Sequence, residues 1–149
     1  MTLAPPVSVA APTSGGLVFD SFAILALLEN ERCADEVAEL LSQDGGYLLM
    51  TYVNLGEVLY TIMRERGQDR ADTALLALEA TDLTFVPADR TLTLEAARLK
   101  ARHRISYADA YCGALARLTS FPLVTGDPEF KQLESQTPIR WLVGRSASS

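Results

Sequence analysis

Five short apolar runs, LVF, YLLM, LTFVP, PLVTG and IRWLV, are spaced along the chain, and segments of helical character fill most of the gaps between them. That alternation leaves few architectures open. A helix between two strands carries the chain back to the edge it started from, so the strands lie parallel, and a parallel sheet needs helices over both faces. The expected fold class is therefore α/β, a three-layer α/β/α arrangement around a central, mainly parallel five-stranded sheet.

The connecting segments refine this expectation. SFAILALLEN is apolar at nearly every position and predicts a buried helix rather than an amphipathic surface one. A polar helix follows from about Arg32 to Ser42, and the Asp44-Gly45-Gly46 turn leads into YLLM. TYVNLGEVLYTIMRERG reads as a helix capped by Thr51 and stopped by Gly67. RADTALLALEAT, TLTLEAARLKAR and YADAYCGALARL supply three more helices. The 149 residues suffice for one domain with a real core, and neither an internal repeat nor a linker divides them.

The ends differ in composition from the middle. MTLAPPVSVAAPTSGG, residues 1–16, is rich in Ala, Pro, Ser and Gly and reads as a flexible tail; it has neither the basic start nor the apolar core of a signal peptide. Residues 144–149 form a second expected tail, leaving a domain over 17–143. No apolar run approaches the roughly twenty residues that cross a bilayer. Cys33 and Cys112 are the only cysteines and belong to no CxxC or histidine cluster, as expected for reduced thiols in a cytoplasmic protein.

Four carboxylates sit where such a fold concentrates chemistry. Ligands of open parallel sheets bind beyond the carboxyl ends of the strands. Asp20 ends the first strand, Asp127 follows PLVTG, and Glu57 lies in the second turn of the helix after YLLM. Asp109 opens the helix before PLVTG; on this reading the preceding helix, TLTLEAARLKAR, must fold the pair back to bring Asp109 to the same edge. Acids gathered without basic partners raise one another's pKa and resist joint ionisation unless a hard cation such as Mg²⁺ or Mn²⁺ neutralises them. Taken singly, each has a plainer reading. Asp20 is a fitting helix N-cap, Asn54 with Glu57 and Ser106 with Asp109 match capping-box spacing, and Asp127 precedes a proline at a first helical turn. Caps are common and metal sites few. The apolar or small surroundings of Glu57 and Asp109 favour a metal, because acids are rarely buried there unless paired or ligated.

Charge is divided along the chain. The net charge of −6 argues against a general polyanion binder, yet RLKARHR carries Arg98, Lys100, Arg102 and Arg104 with no acid among them. These four are candidate nucleic-acid contacts on a basic rim, or simply cations suited to a helix C-terminus. His103 within the run reads as a surface residue or phosphate contact rather than a general base. Tyr107 and Tyr111 are expected in core packing rather than in base stacking.

VFDSFAILALL, VNLGEVLY, ISYADAYCGALARL and PLVTGDPEF, in this order, resemble the PIN-domain family, and within it the VapC-type toxins of toxin–antitoxin pairs; the resemblance runs from about Leu17 to Val143. It implies that Asp20, Glu57, Asp109 and Asp127 bind Mg²⁺ or Mn²⁺, with Asp20, Asp109 and Asp127 expected to hold the ion directly or through water and Glu57 to orient water or help a second ion. Ser21 and Thr125 match hydroxyl positions that support the metal site or a phosphate, although capping or turn bonding explains them equally well. An endoribonuclease leaving a 5′-phosphate and a 3′-hydroxyl is implied, as are a homodimer and a VapB-like antitoxin partner. The alternatives are a PIN-fold nuclease acting on other nucleic acid outside a toxin–antitoxin system, and a non-catalytic module whose acids are only caps. A phosphoryl receiver or phosphatase would need a second acid beside Asp20, where Ser21 and Phe22 stand. Neither a Walker A motif nor GxGxxG is present to bind a nucleotide cofactor.

Overall fold

A computed structural model describes residues 15–144. Both expected tails lie almost wholly outside them, although Gly16 already belongs to the first strand. The chain runs β1 (Gly16–Phe19), α1 (Ser21–Leu28), α2 (Ala34–Leu41), β2 (Tyr47–Thr51), α3 (Tyr52–Arg66), α4 (Gln68–Glu79), β3 (Thr84–Val86), α5 (Arg90–Arg102), α6 (Tyr107–Thr119) and β4 (Leu123–Thr125). A 3₁₀ turn (Pro128–Leu133) and β5 (Ile139–Trp141) complete it. Each expected strand and helix is present within a few residues of its expected bounds.

The sheet is parallel throughout, with strand order β3-β2-β1-β4-β5. The chain builds outward from β1 in one direction, then returns to β1's other side with β4. Between β1 and β4 the connections diverge to opposite sides, and a crevice opens there at the carboxyl edge, as at the switch point of any such sheet. Asp20 follows β1 and Asp127 follows β4, so topology alone puts both at that crevice.

Packing follows the two-residue period of the strands. Val18, Leu49 and Leu123 face a core shared with Ala96 and Leu99 of α5 and Ala110, Cys112, Ala114 and Leu115 of α6. Their neighbours Phe19, Met50 and Val124 face the opposite core, with Ile24 of α1, Val37 of α2, Val58 of α3 and Leu78 of α4. Strands buried on both faces explain the uninterrupted apolar runs. α1 is as apolar as its sequence implies, with Ala23 and Ile24 fully buried. Thr51 caps α3 by accepting from the Asn54 N–H at 2.9 Å, and Gly67 ends it at φ +93°, a conformation that favours glycine.

Asp109 does reach the carboxyl edge, but not through a reversal by α5. Because α6 leads through residues 120–122 straight into β4, its own start falls at the carboxyl edge, as for any crossover helix. α5 packs alongside α6 and buries its outer side: Thr93 and Tyr111 hydroxyls meet at 2.9 Å, and Arg117 pairs with Glu95 at 2.9 Å.

Candidate metal centre

Each acid arrives at the crevice by a local rule. Asp20 is the N-cap of α1: its Oδ1 accepts from the Ala23 N–H at 2.8 Å, which leaves Oδ2 to accept from the Thr125 hydroxyl at 2.5 Å. Thr125 also accepts, from the Asp127 N–H at 3.0 Å, so one hydroxyl joins the ends of β1 and β4. Asp127 caps the 3₁₀ turn through the Glu129 N–H at 2.9 Å, with Pro128 at its first position. Ser106 caps α6 by accepting from the Asp109 N–H at 3.0 Å, which fixes the first turn that carries Asp109. The capping readings are thus borne out for Asp20 and Asp127. A cap consumes one lone pair of a carboxylate, and others stay available.

These elements form an open cleft lined by Asp20, Ser21, Phe22, Glu57, Asp109, Asp127 and Glu129, among others. All four acids singled out in the sequence are brought together. Ligand atoms of Asp109, Asp127 and Glu129 lie within 4.8 Å of one another, close enough to share one ion. Asp20 and Glu57 line the same cleft outside that trio. Glu129 went unnoticed in the sequence, although the signal was there: in GDPEF it stands two residues after Asp127, on the turn that Asp127 itself caps.

The electrostatics are unfavourable without a cation. Asp20 is 1 % exposed, and burial pushes its pKa from 3.8 to about 8 against the opposing bonds from Thr125 and Ala23; Asp109 and Asp127 add to the rise. Asp109, 8 % exposed, is raised from 3.8 to about 7, first by burial and then by the charges of Asp127 and Glu57. Burial likewise pushes the Cys112 thiol well up, so it stays protonated beside these acids and offers no soft ligand. Among the described residues, the ion pairs are Arg66–Glu29, Arg98–Glu95, Arg117–Glu95 and Arg140–Glu36, and none involves a cleft acid. A set of hard oxygen donors without a basic neighbour fits a divalent cation of the Mg²⁺ and Mn²⁺ type.

A second layer holds the acids' helices together. Asn54, fully buried, accepts from the Thr51 hydroxyl at 2.5 Å and donates to the Ala108 carbonyl at 3.1 Å and to the Ser21 hydroxyl at 3.4 Å. Ser21 in turn donates to the Asn54 carbonyl at 3.1 Å. One amide therefore ties the first turns of α1, α3 and α6, which carry Ser21 beside Asp20, Asn54 one turn before Glu57, and Ala108 beside Asp109. Ser21 acts within this network, whereas Thr125 touches Asp20 directly.

The expected basic rim is only partly open. Arg98 pairs with Glu95 at 3.1 Å, and Lys100 donates to the Ile105 carbonyl at 2.7 Å, closing the α5–α6 turn. Arg102 and Arg104 are exposed, and the Arg104 backbone is held on both sides by the Gln132 amide. None of these four residues lines the cleft. His103 bonds the Leu99 carbonyl and Gln136, away from the acids. Tyr111 is buried, and Tyr107 meets it edge to face at 5.0 Å while remaining half exposed.

Comparison with known proteins gives one family and one fold. The PIN-domain family model matches residues 17–135. No curated protein sequence matches. Among solved structures, VapBC2 from Rickettsia felis, bound to a DNA fragment from its promoter, superposes with a TM-score of 0.69 at 14 % identity, covering 86 % of this chain and 99 % of that one. Mycobacterium tuberculosis VapC20, a toxin that cleaves the sarcin–ricin loop, gives 0.67 at 18 % identity, with 78 % and 93 % covered. The DNA-bound VapBC of Salmonella typhimurium gives 0.68 at 14 % identity, with 86 % and 98 % covered. At these identities the likeness is one of fold.

Proposed function

Since the chain belongs to the PIN-domain family, we propose that it is a Mg²⁺- or Mn²⁺-dependent endoribonuclease, the toxin of a VapBC-type pair. The observation that carries the reading is the cleft itself, where acids from four separate parts of the chain converge with no ion-pair partner among the described residues. Asp109, Asp127 and Glu129 would hold the ion; Asp20, locked by Thr125, closes the buried side, and Glu57 orients water or helps a second ion. The ion supplies charge neutralisation at the phosphodiester and activation of the attacking water. The chain's own part is to preorganise the acids. Burial raises Asp20 to about 8 and Asp109 to about 7, so below those values a cation would compete with protons and its affinity should rise with pH. Products are a 5′-phosphate and a 3′-hydroxyl.

The VapBC assemblies among the structural neighbours support a VapB-like antitoxin as partner. Tyr52, Tyr60 and Met63, exposed along α3, supply apolar surface for a homodimer. No helix among the described residues is long and apolar enough to cross a membrane, and the proposed site of action is the cytoplasm. Arg102 and Arg104 are the members of the basic run proposed to contact RNA beyond the cleft; Arg98 and Lys100 serve α5 and its turn.

The test is cleavage of structured RNA by purified protein in Mg²⁺ or Mn²⁺, then in EDTA. Asp20→Asn and Asp109→Asn should each lower the metal-dependent rate more than about 100-fold, because loss of a mere supporting partner already costs roughly 10- to 100-fold. Equal trace cleavage by wild type and both variants would mean a contaminant, and the assignment would fail.

A further inference from the structure

One wall of the acidic cleft takes no part in the chemistry proposed for it. Phe22, the second residue of α1, is 41 % exposed, while Ala23 and Ile24 beside it are fully buried. Among the described residues, it is the one aromatic side chain lining the cleft with Asp20, Glu57, Asp109 and Asp127. It also lines an adjoining open groove of about 590 Å³ that passes Ala26, Cys33, Gly126 and Leu142, a volume in the range of small-ligand sites. The ring is thus the sill between cleft and groove.

Its position is set by the site. A Cβ at Gly126 would stand 2.4 Å from the ring, so the ring in this rotamer lies against the backbone between Thr125 and Asp127. Phe22 stands two residues after Asp20, and Gly126 directly precedes Asp127. Phe22 and the acids line one cleft, so a phosphodiester held at the acids would pass its flanking nucleotide along the wall that carries this ring. The charge balance makes such a contact useful: the protein carries −6, the basic run does not line the cleft, and phosphate attraction alone is a weak source of affinity here. Base stacking on an aromatic ring needs no positive charge, accepts every base, and is worth roughly tenfold in affinity per base.

We infer that Phe22 is a nucleobase platform: the unpaired base next to the scissile phosphate stacks on its ring and leads the strand from the cleft into the adjoining groove. The inference rests on reading the cleft as a nuclease centre, so binding and cleavage are measured separately. The probe is a fluorescein-labelled hairpin RNA with a randomised single-stranded loop, compared with the same hairpin carrying an abasic loop. Binding to the full-length protein is followed by anisotropy in Ca²⁺, which oxygen ligands accept. Wild type should prefer the base-bearing loop about tenfold, Phe22→Leu should lose most of that preference, and Phe22→Trp should keep it. Leucine retains an apolar side chain at a half-exposed position, and unchanged melting of both variants confirms the fold.

Cleavage of the same hairpin in Mn²⁺ should show KM rising in Phe22→Leu by the factor lost in binding, with kcat unchanged. Equal loop preference in wild type and Phe22→Leu overturns the platform. So does a Phe22→Leu variant that binds RNA normally but loses a protein partner, which would assign the sill to a protein interface. A Phe22-dependent preference without metal-dependent cleavage keeps the platform and removes the nuclease reading; metal-dependent cleavage indifferent to Phe22 does the reverse.

Discussion

Two sets of acids on this molecule are treated in opposite ways. Glu29, Glu36 and Glu95 lie outside the cleft, each with an arginine within 4.0 Å. Asp20, Glu57, Asp109, Asp127 and Glu129 share the cleft with no such partner among the described residues, and two of them are nearly inaccessible to water. The first set consists of partly buried glutamates whose arginine partners reach solvent, so opposite charges are placed close at modest net gain. The second runs against stability, since each buried carboxylate must stay protonated or repel its neighbours. A fold keeps such an arrangement when something outside the chain completes it.

The largest expected effect follows from that contrast. In metal-free protein, Asp20 and Asp109 hold their protons up to about pH 8 and 7, whereas in the unfolded chain they ionise near 3.8. Between those limits the folded state binds more protons than the unfolded one, so stability falls as pH rises, by about 1.4 kcal/mol per pH unit for each such group. Below the unfolded value the penalty vanishes. Melting in EDTA should therefore decline from pH 5 to pH 8, and Asp20→Asn should flatten the decline. A divalent cation needs the ionised acids, so its stabilisation should grow over the same range, reaching about 2.7 kcal/mol at a concentration 100-fold above Kd. If Mg²⁺ and Mn²⁺ leave the melting temperature unchanged at pH 8, the cleft acids are no metal site and the contrast loses its meaning.

How much of this the sequence disclosed depends on the kind of constraint. The strands were legible because burial on both faces forces continuous apolar runs such as YLLM, and Asp20 and Asp127 were legible because strand ends in a parallel sheet have only one place to go. Asp109 was placed correctly for a mistaken reason: α5 drew attention as a reversing helix, whereas α6's direct entry into β4 was sufficient. Glu129 was passed over because it has no apolar frame of its own. Phe22 was noted only as a residue that is not an acid, since its ring acquires a role from contact with Gly126, over a hundred residues away. Asn54 looked like a capping residue for Glu57; its amide instead bonds Thr51, Ser21 and Ala108, and such long-range pairing leaves no mark on local spacing.

That network gives a second, smaller effect. Asn54→Ala leaves the Ala108 carbonyl and the Thr51 hydroxyl buried without the amide, a loss of about 1–3 kcal/mol. Because the amide joins three helix starts that carry or adjoin the acids, the variant should lose metal affinity along with stability. Thr125→Val removes the bond to Asp20 and should weaken metal binding roughly 10- to 100-fold. Isothermal titration with Mn²⁺ at pH 8 measures both. A drop in stability with undiminished Mn²⁺ affinity in Asn54→Ala would make the network a packing device alone.

The smallest effect is expected where the acids are paired. Glu29 meets Arg66 at 3.2 Å; the glutamate is largely covered but the arginine is half exposed, so solvent reaches the pair from the arginine's side and the arginine surrenders side-chain freedom to hold it. Glu29→Gln should change stability by no more than about 0.5 kcal/mol and leave RNA cleavage and Mn²⁺ affinity untouched. Denaturant melts of Glu29→Gln and Asp20→Asn in EDTA at pH 8 then place the two sets side by side. Removing a charge should be nearly silent at Glu29 and stabilising at Asp20, because only the latter removes a carboxylate whose ionised form the fold disfavours. Because asparagine keeps an oxygen to accept from the Ala23 N–H, a destabilisation of about 1 kcal/mol at Asp20 would show that the stronger bonds of the carboxylate to Ala23 and Thr125 outweigh its repulsion. The cleft would then differ from the surface in accessibility rather than in stored electrostatic energy.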